Sequence, residues 1–311
     1  MCALEFKGIE DAGYGGYSLT DQLLYNLKGW IDWALLHHGA YNIYTQGQDS
    51  YFANEESTLY NVPDGRLPDR TVYNGVGREW AWESGVSVPG GATAPFRVSG
   101  VYVDGTFVSS SSTGPSRFHT DYRNGRIIFD ESQSSSGTIS ANYTSRSVYV
   151  GMADSEEFNL LMLDAVEEFL TDNTPSGTPS KDHQVWLPSI FIEVDSGTGR
   201  GLCLGGGQIK TRTITLHIFA DTAGDRNLLM DWLDFQNRST FWMADLNRIT
   251  FPFNEFGDVV PGTTNWVDLT ESYPWKKLRI MEGTVKRINS LNTKLFRATV
   301  RYKVEIDIGN I

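Results

Sequence analysis

The closing stretch of the chain alternates without interruption. Phe296, Ala298, Val300, Tyr302, Val304, Ile306 and Ile308 fall on one side, and Arg297, Thr299, Arg301, Lys303, Glu305 and Asp307 on the other. Successive side chains of an extended chain point to opposite faces, so this pattern predicts one long amphipathic strand. At about 3.4 Å per residue it reaches roughly 40 Å, beyond the usual strand of about five or six residues. A strand of that length needs a large sheet or a pairing with a neighbouring chain.

Nearer the start the period is helical. Leu23, Leu27, Trp30, Ile31, Ala34 and Leu35 line one side of a helix predicted over Leu19 to His38, with Ser18 or Thr20 to cap it and Gly39 to end it. Tyr41 to Thr45 then alternates as a short strand. From Gln46 to Pro95 turn signals dominate, as in Val62-Pro63-Asp64-Gly65 and Leu67-Pro68-Asp69, with Tyr73, Trp80 and Trp82 to hold the loops down. Phe96 to Val150 reads as all β, with hairpin dipeptides at Asp104-Gly105 and Asn124-Gly125 and exposed loop tips at Ser109 to Ser112 and Ser132 to Ser136. This points to a small sandwich or sheet module.

A second helix begins at Asp154-Ser155-Glu156-Glu157, with Asp154 as its cap and Phe158, Leu161, Met162, Ala165, Val166 and Phe169 on its buried face. The Pro and Gly residues of 173–179 make a link. Ile190 to Val194 reads as a strand, Gly197 to Gly207 as a Gly-rich turn, and Ile209 to Phe219 as a strand with Thr213, Thr215 and His217 on a wet face. A third helix starts at Asp221 to Asp225 and carries Leu228, Leu229, Trp232 and Leu233. A strand at Thr240 to Met243, a long loop from Ile249 to Trp275 and a strand at Leu278 to Ile288 complete the order.

The expected organisation is an α+β fold: a mixed or antiparallel sheet flanked by helices, with an inserted all-β module. Residues 1–45 supply a helix to the core domain, 46–153 the insertion and 154–311 the α+β domain. The 311 residues are 40% hydrophobic, with 16 Phe, 14 Tyr and 9 Trp, which is ample for packing. No run of about 18 or more apolar residues occurs, so no membrane-spanning helix is expected. The first residues show no signal peptide pattern.

The net charge of −12 disfavours a large phosphate-neutralising surface, although an acidic wall that DNA slides past is compatible with it. Cys2 and Cys203 lie far apart and form neither a disulfide framework nor a metal cluster. His37, His38, His119, His183 and His217 lack zinc-site spacing. The glycines of 199–207 lack both the Gly-Lys-Ser/Thr ending and a following helix, so they read as a hairpin connection. The pairs Glu55-Glu56, Glu156-Glu157 and Glu167-Glu168 have ordinary readings as loop charge, helix start and solvated face. No Gly-x-Ser-x-Gly elbow is present. These absences lead to the expectation of a non-catalytic protein with no cofactor and no metal. Tyr14, Tyr17, Trp80, Trp82, Trp266, Tyr273 and Trp275 could stack on sugars or anchor protein contacts, and interface cores favour the second use.

The order of elements resembles tail-terminator, or tail-completion, proteins of tailed bacteriophages. The resemblance rests on Thr211 to Ala220, Asp225 to Leu233 and Arg297 to Asp307, and covers about 170 residues. The strands Gly125 to Asp130 and Ile139 to Tyr143 look like the small sandwich modules of phage virion proteins, an insertion that a minimal terminator lacks. The resemblance implies a virion protein assembled in the host cytoplasm, forming a hexameric ring at the head-tail junction. Its partners would be neck, connector and tail-tube proteins, with DNA only as passing cargo. Another neck or tail-tube component, or a carbohydrate-binding adhesin using Trp80 or Trp82, is the alternative. The polar side of the closing strand, Arg297, Arg301, Lys303, Glu305 and Asp307, together with Trp275, is the candidate subunit interface.

Overall fold

The computed structural model describes residues 17–46, 57–88, 90, 93–114, 116–164, 186–201, 207–249, 252–263, 265–289 and 292–308. Both cysteines, His183, Tyr14, the link at 173–179, the pairs Glu55-Glu56 and Glu167-Glu168, and Ala165, Val166 and Phe169 lie outside these residues. The fold is α+β, with several antiparallel sheets and helices. The chain divides into two units, one of Met1–Asp32, Tyr149–Thr250 and Val267–Ile311 and one of Trp33–Val148 and Phe251–Trp266.

Helix α1 (Leu19–His37) ends where the sequence places its stop: Gly39 has φ +82°, a left-handed conformation that costs a residue without Cβ little. Its start is held by Ser18 and Asp21, whose side chains and backbone N–H groups bond reciprocally. Leu23, Leu27 and Ile31 are fully buried.

The second unit contains short strands: β1 (Tyr41–Tyr44), β2 (Tyr60–Asn61), β3 (Val72–Asn74), β4 (Gly100–Val103), β5 (Thr106–Ser109), β6 (Phe118–Asp121), β7 (Arg126–Phe129), β8 (Ile139–Ala141) and β9 (Tyr143–Arg146). They form a pair β1-β9, a four-stranded sheet β2-β3-β7-β6 and a three-stranded sheet β5-β4-β8. Asp104 and Gly105 both take positive φ and close the two-residue turn between β4 and β5, as their dipeptide predicts. Strands this short expose little aliphatic surface, and an aromatic core compensates. Trp80 and Tyr44 stack on the Tyr143 ring at 4.2 and 4.8 Å, and Val76 N–H donates to the Tyr143 hydroxyl at 2.8 Å. Gly75 permits this packing, since a Cβ there would lie 2.6 Å from Trp80 and 2.8 Å from Tyr143. Arg146 donates to both carboxylate oxygens of Glu83 at 2.5 and 2.6 Å, with both side chains almost fully buried. A buried charge is tolerated only with such a partner. Trp80 is 1% exposed, so it is core and offers no surface platform. Trp82 is half-buried, edge-on to Phe253 at 5.5 Å.

The first unit is organised by one six-stranded sheet in the order β10-β11-β12-β15-β14-β13. Its members are β10 (Tyr149–Met152), β11 (Ser189–Gly201), β12 (Gln208–Ala220), β13 (Thr240–Ala244), β14 (Pro274–Ile288) and β15 (Phe296–Asp307). Strand β10, by sequence the end of the β module, joins this sheet instead, parallel to β11; every other pairing in the sheet is antiparallel. Gly197 to Gly201 also departs from its reading as a turn, because these residues pair with Gln208 to Arg212 and extend β11 past a register shift after Val194. Only β12 pairs with this stretch, since β10 lies opposite Ser189 to Ile192.

One sheet face is apolar. Ladders such as Val194-Ile214-Tyr302 and Ile192-Leu216-Val300 run across β11, β12 and β15, and all but Val194 are buried to 1% or less. Helix α3 (Ala223–Asp234) packs here through Leu229, Met230 and Leu233, and the Tyr302 hydroxyl donates to the Leu233 carbonyl. Burial pushes the Tyr302 phenol well above its ordinary pKa, with the Asp234 charge adding to the effect. Thr222 caps α3 by accepting from Asp225 N–H. Leu228 is 68% exposed. It stands one position beyond the apolar stripe that starts at Leu229.

Helix α1 reaches the same unit at β13. Asn26 is 0% exposed, and its amide accepts from Ala244 N–H at 2.6 Å and donates to Ala244 C=O at 3.1 Å, replacing the pairing a further strand would give that backbone. Trp30 stacks on Phe241 at 4.6 Å. On the opposite face, α2 (Glu156–Asp164) covers one end of the sheet: Phe158 meets Phe191, His217 and Phe219. Its N-terminus is capped by Ser155, which accepts from Phe158 N–H at 3.3 Å, and not by the Asp154 expected from sequence. The segment read as a loop up to Trp275 holds α4 (Trp266–Ser272) and the start of β14, so Trp275 is a strand residue.

Candidate functional site

Strand β15 lies inside the sheet with both edges paired, to β12 along residues Phe296 to Asp307 and to β14 along Arg297 to Ile306. The large-sheet alternative therefore holds, and β15 has no free edge for a neighbouring chain. What it offers is its polar face. There Arg301 stands between Thr215 and Thr284, Lys303 between Thr213 and Glu282, and Glu305 between Thr211 and Arg279.

Arg301, Lys303 and Asp307 are exposed and Glu305 is half-buried. Trp275, Glu305 and Asp307 line one concavity of about 440 Å³ with Trp242, Lys277 and Arg279. Arg297 is separate from this group. Its guanidinium lies under α2, 2.9 Å from Met162 Sδ and 5.2 Å over the Phe219 ring, and burial lowers its pKa. It belongs to the packing of α2 more than to the open surface.

Several residues of this face escape a reading by period. Lys277 and Arg279 lie on it at odd positions of β14, whereas Glu282, Thr284 and Lys286 lie on it at even positions, because a register shift falls between Ile280 and Glu282. A bulge breaks the alternation and hides the strand's polar side from sequence inspection. Lys277 sits opposite Trp242, its Nζ 4.6 Å over the indole. Trp242 is 49% exposed, and no periodic pattern around Thr240 to Ala244 singles it out.

The face carries cations and carboxylates together. Arg200 reaches Glu305 at 3.4 Å, Arg301 Nε donates to Thr215 Oγ1 at 3.4 Å, and His217 Nε2 lies 2.8 Å from Glu193. The alternation of β12 predicts a wet face for His217 and Thr215. Thr215 is 4% exposed and His217 is half-buried against Phe158, because α2 covers this end. A second concavity of about 310 Å³, lined by Glu193, His217, Lys286 and Arg301 among others, lies beside it.

Elsewhere, in the second unit, His119 Nδ1 lies 2.6 Å from Asp258 and its ring stacks on Phe256 at 4.1 Å. Asp258 also accepts from Thr120 N–H and Asn254 Nδ2, so this carboxylate fastens residues 252–263 to β6. Among the described residues no group of three or more His, Cys, Asp or Glu is placed to hold a metal ion, and no helix is long and apolar enough to cross a membrane. An open sheet face with mixed charges and one exposed indole has the chemistry of a protein contact, where aromatic and Arg side chains anchor and a polar rim orients.

No family model matches the chain, and no curated protein matches it.

Proposed function

We propose that this chain is a non-catalytic structural subunit of a tailed-bacteriophage virion, a terminator-like component of a ring at the head-tail junction. In this role it stops growth of the tail tube and joins the tube to the neck, with connector and tube proteins as neighbours and DNA as passing cargo. The observation that carries the reading is the build of the large sheet: helices α1 and α3 pack on one face, while the other, beyond the end that α2 covers, is charged and exposed along β14 and β15. A face of that kind is suited to contact with another subunit. The element order of hairpin β11-β12, helix α3 and closing strand β15 supports the terminator-like form. The net charge of −12 suits a channel wall that does not hold DNA.

A different neck or tube component would use the same surface in the same way. For the adhesin alternative, Trp80 is core and gives no platform, which leaves the half-buried Trp82, edge-on to Phe253. Cryo-electron microscopy of intact particles, with antibody labelling of this chain, is the test. Density for a ring of this fold at the head-tail junction is the expected result. A chain that is absent from particles overturns the proposal.

A further inference from the structure

We infer that copies of this chain dock head to tail, the outer stripe of α3 on one copy against the open sheet face of the next. The inference rests on the ring reading above and names the surfaces that close the ring. Both surfaces lie in the first unit, on opposite sides of the same layer. On one side of the sheet, Lys277, Arg279, Lys303 and Arg301 form an exposed track along β14 and β15, beside the half-exposed indole of Trp242. On the other, α3 is packed inward through Leu229, Met230 and Leu233, and turns outward Leu228, Asp231 and Phe235, spaced i, i+3, i+7, with Asp234 beside them.

Leu228 and Phe235 are 68% and 82% exposed, a large solvent exposure for two apolar side chains on one stripe. The stripe is acidic and apolar; the face has an excess of cations, Lys277, Arg279, Lys286, Arg301 and Lys303 against Glu282, Glu305 and Asp307, and an exposed aromatic. The pairing is complementary in both respects. Because the two surfaces differ and sit on opposite sides of one layer, a contact between them leaves one of each free on every dimer. It therefore repeats around an axis and closes as a ring when the rotation permits.

A nucleic-acid backbone is a poorer fit for the same track. Glu282, Glu305 and Asp307 stand among the cations and would meet phosphate directly. The α3 stripe brings two carboxylates and two apolar side chains, where a nucleic-acid backbone brings a charge at every nucleotide.

The test is a charge swap in the full chain, read by native mass spectrometry at about 50 μM, where weak but specific rings populate. One variant carries Lys277→Glu with Arg279→Glu, the other Asp231→Lys with Asp234→Lys. Wild-type chain is expected to form a closed oligomer, and each variant alone to assemble at least about a hundredfold more weakly, as like charges then face each other across the contact. A one-to-one mixture of the two should reassemble, which also demonstrates that both are folded. Variants that assemble like wild type overturn the docking and leave the ring reading intact, whereas wild-type chain that stays monomeric removes both. Binding of a labelled single-stranded DNA oligonucleotide that the Lys277→Glu, Arg279→Glu variant loses, with its oligomeric mass unchanged, reassigns the face to nucleic acid.

Discussion

On one side of β15, Ala298, Val300, Tyr302, Val304 and Ile306 are at most 1% exposed; one residue along the backbone in each case, Arg301, Lys303 and Asp307 stand in solvent. The two faces share a backbone, a register and the same neighbouring strands. They differ in what lies above them. The sealed face loses apolar area to α3 and to its own ladders, and holds the unit together. Substitution on the open face removes almost no burial, so the charged residues there are free to be selected for contact with something outside the chain. On the proposed function, stability and assembly are separated by a single step along the strand, and substitutions on either side should separate them experimentally.

The largest effect is expected from Val300→Asp, which forces a carboxylate into a site with no partner. It should destabilise by at least about 4 kcal/mol and leave little folded chain in a denaturant titration. Folded and assembled Val300→Asp protein would erase the distinction between the faces. Next comes Asn26→Ala, which strips both bonds from the buried backbone of Ala244 and should cost about 2–3 kcal/mol by the same titration.

Tyr302→Phe removes one buried hydrogen bond and should cost about 1 kcal/mol at neutral pH. It has a second signature. The phenol has a higher pKa in the folded chain than in the unfolded chain, so the folded state holds its proton longer. The stability from this group is complete below an unfolded value of about 10 and is lost as pH rises above it. The variant should therefore show a shallower alkaline decline than wild type in melting experiments above about pH 10; Tyr122, whose phenol is pushed up to about 12 by burial, keeps part of the slope, as do Tyr41 and Tyr73, whose phenols burial also raises. The smallest effect on folding belongs to Lys303→Ala, within about 0.5 kcal/mol of wild type, with any loss appearing in assembly alone.

Much of this contrast is legible in the sequence, because β15 contains no bulge and its period of two survives from Phe296 to Asp307. Helix α1 is legible for the same reason, with Gly39 marking its stop. The candidate face is only half legible. Lys303, Glu305 and Asp307 can be read from β15, but Lys277 and Arg279 cannot be joined to Lys286 across the register shift before Glu282. Trp242 gives no sign of exposure, since an aromatic residue in a short strand is the ordinary mark of a core. Arg297 fails in the opposite direction: its place in the alternation is correct, yet α2 covers it, and coverage by an element distant in sequence leaves no local pattern. The glycines of 197–201 read as a turn because their composition outweighs the pairing that makes them strand.

If the open face of the sheet meets another copy of the chain, the mass of the purified protein will show it. Light scattering coupled to size exclusion at near-physiological salt should return a closed multiple of the 34.8 kDa chain, six copies by the terminator resemblance, which dissociates as salt is raised. A single 34.8 kDa species at every concentration and salt would contradict it.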